Sequence, residues 1–183
     1  MKTQNALAYV GHNSNKNRVK NDFYPTPPEA TQALLDREKF TGNVYECACG
    51  NGALSEVLIE NGYDVFSSDL IDRGYGKTGV DFLKSNKKFD NIITNPPFNL
   101  STEFTIKAFE LANNKVAMLN KLSFLEGIKR REKVFNEKKL EKVLVFSRRI
   151  NFIKFTGKTN GLMAFAWFVF NKDYQGLPQI DWI

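Results

Sequence analysis

The sequence predicts an α/β protein, a mostly parallel sheet with helices on both faces. Three observations lead there. Short runs rich in β-branched and aromatic residues alternate with stretches whose apolar residues recur at helical spacing. Glycine and proline punctuate the junctions. The chain has 183 residues, 42% hydrophobic and 25% charged, which suits one core and is too little for two ordinary domains with linkers.

In chain order, a leading helix is expected near 27–39 and a strand at 43–47 from Asn43-Val-Tyr-Glu. Ala53, Leu54, Val57 and Leu58 mark one face of a helix over 52–61. The run Tyr63-Asp-Val-Phe-Ser-Ser reads as a strand at 63–68, followed by a short strand at 78–80. Phe89-Asp-Asn-Ile-Ile-Thr is a strand at 89–94, with a helix at 101–113 and a strand at 115–120. A basic helix near 127–138, a strand at 140–146 and a last strand at 163–170 complete the set. Leu162 to Phe170 is the longest apolar run, nine residues, and a bilayer needs about 20. Residues 1–22, rich in Asn and Lys, read as a flexible basic N-terminal arm, leaving 23–183 as a single domain.

Asn95-Pro96-Pro97-Phe98 stands at the end of the strand 89–94. A strand ending in Asn and two prolines aligns a side-chain amide oxygen with a main-chain carbonyl, two acceptors for one NH2 group. The aromatic ring that follows offers a face to a base pulled from its stack. Taken alone, the tetrapeptide also reads as a strand-terminating turn. Its company decides for chemistry. Glu46-Cys47-Ala48-Cys49-Gly50-Asn51-Gly52 joins a strand to a helix, the layout of a nucleotide-type site.

A dinucleotide loop would carry glycine or alanine near position 55, where Ser55 stands. S-adenosylmethionine fits better, because a phosphate-free cofactor with a positive sulfonium tolerates Glu46 in the turn. Asp69, seventeen residues past Gly52, is placed to chelate two ribose hydroxyls. Leu70 and Ile71 are expected over the adenine, with Asp81 and Phe82 reading its edge. Gly157-Lys158-Thr159 is not a phosphate loop, since Phe152 stands where its partner glycine belongs.

Four pieces in this order and spacing resemble the DNA adenine-N6 methyltransferases, above all the compact standalone ones of bacteriophages. Tyr24-Pro25-Thr26-Pro27 stands where that family has its Thr-Pro element, and Arg149-Ile150-Asn151-Phe152 and Gly157-Lys158-Thr159-Asn160 stand in place of its later blocks. Cys47 occupies the turn position where the family usually has proline. The resemblance covers residues 22–171. It implies a Rossmann-like methyltransferase fold of seven strands in the order 3-2-1-4-5-7-6, the last antiparallel. It also implies a cofactor site that includes Tyr24, Thr26, Glu46, Cys47, Gly50, Gly52, Asp69, Leu70, Asp81 and Phe82, and a catalytic set of Asn95, Pro96, Pro97 and Phe98. Glu46 is expected near the methionine amino group and Thr26 near its carboxylate. No segment is long enough for a separate target-recognition domain.

The charge points to nucleic acid, with DNA favoured. Residues 121–160 hold twelve Lys or Arg against four Glu, a net +8 in a chain of formal charge +6. Lys138, Lys139 and Lys142 read as a solvated helix face. Arg148 and Arg149 read as phosphate contacts, and Phe152 and Phe155 as either loop packing or stacking partners of the base. Cys47 and Cys49 are the only cysteines and His12 the only histidine. Neither a disulfide nor a metal site is expected from them. Reduced thiols and no signal-peptide core imply the cytoplasm, the host's if the protein is viral. The rival readings are an RNA adenine or guanine amino acceptor, a protein glutamine amide, a non-catalytic binding relic and a nicotinamide oxidoreductase.

Overall fold

The computed structural model of the chain describes residues 23–150 and 163–183. The arm at 1–22, Phe152, Phe155 and the Gly157-Lys158-Thr159 turn lie outside the described residues.

Seven strands form one sheet: β1 (Val44–Glu46), β2 (Val65–Ser67), β3 (Phe89–Thr94), β4 (Ala112–Lys121), β5 (Leu140–Val145), β6 (Phe165–Asn171) and β7 (Gln179–Trp182). Their order is β2-β1-β3-β4-β6-β5-β7. Pairing is parallel except for β6, which runs antiparallel to both β4 and β5. This is the Rossmann-like arrangement expected, with two corrections. The strand expected at 78–80 is reduced to one parallel bridge, Ser68 to Lys77. Gly74, Gly76 and Gly79 all take positive φ, so the chain there turns instead of extending. The seventh strand is instead β7 at the opposite edge, four residues whose weak pattern carried no sequence signal.

Helices cover both faces. Helix α1 (Pro28–Arg37) opens on a proline with Glu29 in its first turn and Arg37 in its last, each placed favourably for the helix dipole. It packs with α2 (Ala53–Glu60) on one face, where Leu34, Leu35, Leu54 and Leu58 meet Val44, Ile93, Leu119 and Trp167. The Trp167 indole donates to the Ala30 carbonyl at 2.8 Å, tying α1 to β6. Helix α3 (Ser101–Leu111) covers the other face, where Phe104, Ala108 and Leu111 meet Tyr45, Phe89, Ile92 and Met118. Successive residues of β6, Phe165 to Phe170, alternate between these two cores, the period of a strand buried on both sides.

The basic helix expected at 127–138 is shorter and less regular: one turn, α4 (Ile128–Arg130), widening into a π turn at Arg131–Phe135. Lys142 is not on a helix face. It lies in β5 and pairs with Glu38 at 2.7 Å, and Lys115 pairs with the same carboxylate at 2.6 Å. Glu38 is 5% exposed, and despite its burial the two lysines hold its carboxyl below the usual range. Lys138 pairs with Glu137 and sits over the Phe109 ring. Arg130 is spent on main-chain carbonyls of Phe124, Ser123 and Glu126. Much of the positive charge therefore builds the fold. Lys129, Arg131, Lys133, Arg148 and Arg149 remain exposed.

Candidate active site

The carboxyl ends of β1, β2 and β3 converge on a cavity of about 570 Å³, the position where open α/β sheets bind ligands. Among the residues expected at a site, it is lined by Tyr24, Thr26, Glu46, Cys47, Gly50, Asp69, Leu70, Asp81, Phe82, Asn95 and Pro97. Gly52, Pro96 and Phe98, also expected there, do not line it. Arg148 and Arg149 follow the carboxyl end of β5, at the same end of the sheet but away from the cavity.

The floor is the turn after β1. Gly50 and Gly52 take φ of 56° and 88°, which side chains rarely tolerate. Gly52 N–H donates to the Cys49 carbonyl and closes the turn at 2.8 Å, and Gly52 caps α2. The Tyr75 ring fills the space a Cβ at Gly52 would need, 2.4 Å away. Asp69 joins the turn to the next loop: its carboxylate accepts from Gly50 N–H at 2.9 Å and from Ile71 N–H at 2.8 Å. Two bonded lone pairs leave others for a ligand diol. Asp81 caps a short turn by accepting from Leu83 N–H at 3.1 Å and meets Lys84 at 3.1 Å.

Glu46 is 1% exposed. Its Oε1 accepts from Thr94 Oγ1 and from Ala48 N–H at 3.2 Å, while Oε2 is buried without a partner. Burial pushes its carboxyl up to about 8, against the lowering effect of the Thr94 and Ala48 bonds. Cys47 and Cys49 are buried free thiols, raised by the same cause, Cys49 to about 12. Neither is a nucleophile at neutral pH.

The Asn-Pro-Pro-Phe turn leaves β3 here. Asn95 Nδ2 donates to the Tyr24 carbonyl at 3.0 Å and to Thr26 Oγ1 at 3.1 Å. Its Oδ1 is buried and has no partner. The Pro97 carbonyl accepts from Leu100 N–H, starting the short turn that leads into α3. The Phe98 ring stacks on Tyr24 at 5.8 Å and 26°, packs beside Phe165, and lies 5.1 Å from Lys121 Nζ.

Several contributors were not among the residues expected from the sequence: Phe23, Arg73, Asn99 and Leu100 line the cavity, and Thr94 bonds Glu46. Only Thr94 and Asn99 were discoverable, as neighbours of the Asn95 motif. Among the described residues, no group of three His, Cys, Asp or Glu is arranged to hold a metal, and no helix is long and apolar enough to cross a membrane.

No protein-family model and no curated protein sequence matches the chain. Solved structures do. A protein assigned as a class I S-adenosylmethionine-dependent methyltransferase from Listeria monocytogenes aligns over 93% of this chain and 67% of its own, with TM-score 0.62 and 10% identity. A protein assigned as an RNA methyltransferase from Pyrococcus horikoshii aligns over 78% and 79%, with TM-score 0.59 and 18% identity. A protein assigned as the modification subunit of a type I restriction enzyme from Vibrio vulnificus aligns over 90% of this chain and 47% of its own, with TM-score 0.58 and 15% identity. At these identities the likeness establishes the fold, that of S-adenosylmethionine-dependent methyltransferases. The cavity's donor set fits that cofactor: a buried carboxyl with an unpartnered oxygen, a second carboxylate beside the glycine turn, and apolar cover from Leu70 and Ile71.

Proposed function

We propose that the chain transfers the methyl group of S-adenosylmethionine to the exocyclic amino nitrogen of adenine in DNA. The observation that carries this reading is the Asn95 amide. The Tyr24 carbonyl and Thr26 Oγ1 hold its Nδ2, so its buried, unpartnered Oδ1 is preset as an acceptor beside the cavity.

Such an oxygen accepts one hydrogen of an NH2 group, and the Pro96 carbonyl next to it accepts the other. With both hydrogens held, the nitrogen lone pair is drawn out of conjugation and aimed along the transfer line. Catalysis of this kind is positioning and electrostatics. No histidine is needed, because the nitrogen becomes acidic only after it is methylated. Phe98, buttressed by Tyr24 and Phe165, supplies the aromatic surface for a base taken out of its stack.

The bound cofactor supplies the electrophilic methyl group. This chain's residues hold it: Glu46 Oε2 for the ammonium, the remaining Asp69 lone pairs for the ribose, Leu70 and Ile71 over the adenine, and Asp81 with Phe82 at its edge. Cys47, Gly50 and Gly52 shape the turn beneath.

Two features support a nucleic-acid acceptor: the exposed cations Lys129, Arg131, Lys133, Arg148 and Arg149, and the likeness to a restriction-modification subunit. The likeness to an RNA methyltransferase makes RNA the alternative. Incubation with methyl-labelled cofactor and, separately, duplex DNA, single-stranded DNA, RNA and a glutamine-bearing protein decides among them. The expected result is label in DNA, recovered as N6-methyladenine on digestion. Label confined to RNA or protein would overturn the acceptor and leave the methyl-transfer reading standing.

A further inference from the structure

Four ionisable side chains border the cavity: Glu46, Asp69, Asp81 and Arg73. In the reading above the three acids serve the ammonium, the ribose and the adenine. The α-carboxylate, the cofactor's one negative group, has no charge partner among them.

Arg73 is likewise without one. Among the described residues it makes no ion pair and no hydrogen bond, and its Nε is buried unpartnered. Arg73 as a whole is half-buried, and Nε is the nitrogen shielded from water without an acceptor, a donor that a ligand oxygen would satisfy. Its position is nevertheless set. The guanidinium carbon lies 3.9 Å from the centre of the Phe23 ring, and that ring rests on Gly50, where a Cβ would come within 2.5 Å of Phe23 Cε2. Gly50 N–H is in turn bonded to Asp69. Arg73, Phe23, the glycine turn and Asp69 thus form one packed unit along the cavity wall. A guanidinium whose carbon lies over a ring keeps its N–H groups for acceptors, and its fork matches a carboxylate.

We propose that Arg73 binds the α-carboxylate of the cofactor, with the Phe23 ring as the platform that its guanidinium rests over. Thr26, expected at that carboxylate, already accepts from Asn95 and has a single O–H to donate. It adds a neutral bond, and Arg73 supplies the charge. The inference rests on the cofactor half of the proposed function and is independent of the methyl acceptor.

The test is calorimetry without nucleic acid, titrating S-adenosylmethionine and its decarboxylated analogue into the wild-type chain, Arg73→Gln and Arg73→Lys. Wild type should prefer the intact cofactor by about 10- to 100-fold, the range for a charge-assisted bond. Arg73→Gln should lose most of its affinity for the intact cofactor and bind the analogue as wild type does, so the preference collapses. Arg73→Lys should keep part of it. Equal weakening of both ligands in Arg73→Gln would mean that Arg73 acts through packing on Phe23, and would overturn the proposal. Unchanged affinity for both would do the same. A wild-type chain that binds neither ligand would overturn the cofactor reading together with this one, whereas a failure of the acceptor assay alone leaves the calorimetric result intact.

Discussion

Asn95 Nδ2 donates to Thr26 Oγ1 at 3.1 Å, across 69 residues of sequence. With Nδ2 held by Thr26 and the Tyr24 carbonyl, the buried Oδ1 is the end of the amide left without a partner, the end that meets the substrate in the proposed reaction. Thr26→Val keeps the shape and removes the acceptor. Its single-turnover rate of methyl transfer is expected to fall about 5- to 10-fold, the value of one ordinary hydrogen bond. Asn95→Ala removes the acceptor aimed at the reacting nitrogen and should fall about 100- to 1,000-fold while still binding cofactor. Wild-type single-turnover rates in Asn95→Ala would sink the mechanism whatever the acceptor.

Glu46 is expected to make stability depend on pH, and cofactor binding too if it meets the ammonium as proposed. Burial raises its carboxyl from 4.5 to about 8, so the ligand-free folded chain keeps a proton that the unfolded chain has shed. The stabilisation from that proton is complete below pH 4.5, declines as pH rises and is gone above about 8. Glu46→Gln is neutral throughout. Its unfolding free energy relative to wild type should rise steadily between pH 5 and pH 8, then level off, in denaturant titrations. Pairing with an ammonium favours the ionised carboxylate, so cofactor binding near pH 7 should release a proton from wild type. Calorimetry in buffers of different ionisation enthalpy reads that release, and Glu46→Gln should not show it.

Gly52→Ala places a Cβ at φ 88° and 2.4 Å from the Tyr75 ring. Left-handed backbone costs a non-glycine residue about 1 kcal/mol, and displacing the ring adds to it. A total of about 2 kcal/mol corresponds to a fall in Tm of about 4–8 °C for a chain of this size. Thermal denaturation checks it, and Gly62→Ala is the control, with φ 85° but nothing within 4 Å of the added carbon. The drop should be smaller in the control.

Arg148 and Arg149 are exposed beyond the carboxyl end of β5, at the same end of the sheet as the cavity but not in its lining. If they meet phosphates, replacing both with alanine should weaken duplex binding and make the dependence of log K on log salt shallower by about 2, since each arginine that neutralises a phosphate adds about one to the slope. Affinity measured between 50 and 200 mM salt gives the slope. An unchanged slope would remove the pair from the interface.

What the sequence determined by itself is the layout that local chemistry controls. Strand-like runs placed β1 to β6 in their proper stretches, glycine marked the turn after β1, and Asn95-Pro96-Pro97 marked the end of β3. Such signals lie within a few residues of one another, so one sequence suffices to read them. It erred where a short run owed its state to distant partners: the expected strand at 78–80 is turned away by positive-φ glycines, and β7 exists only because β5 offers it an edge. The basic segment misled for the same reason, since Lys142 reads as solvated until Glu38, 104 residues away, closes on it. Only the tertiary structure decided that Glu46 is buried beside Thr94, that Thr26 orients Asn95, and that Arg73 stacks on Phe23 at the cavity wall. Burial, orientation and the absence of a partner are relations between segments brought together by folding, and spacing along one chain does not encode them.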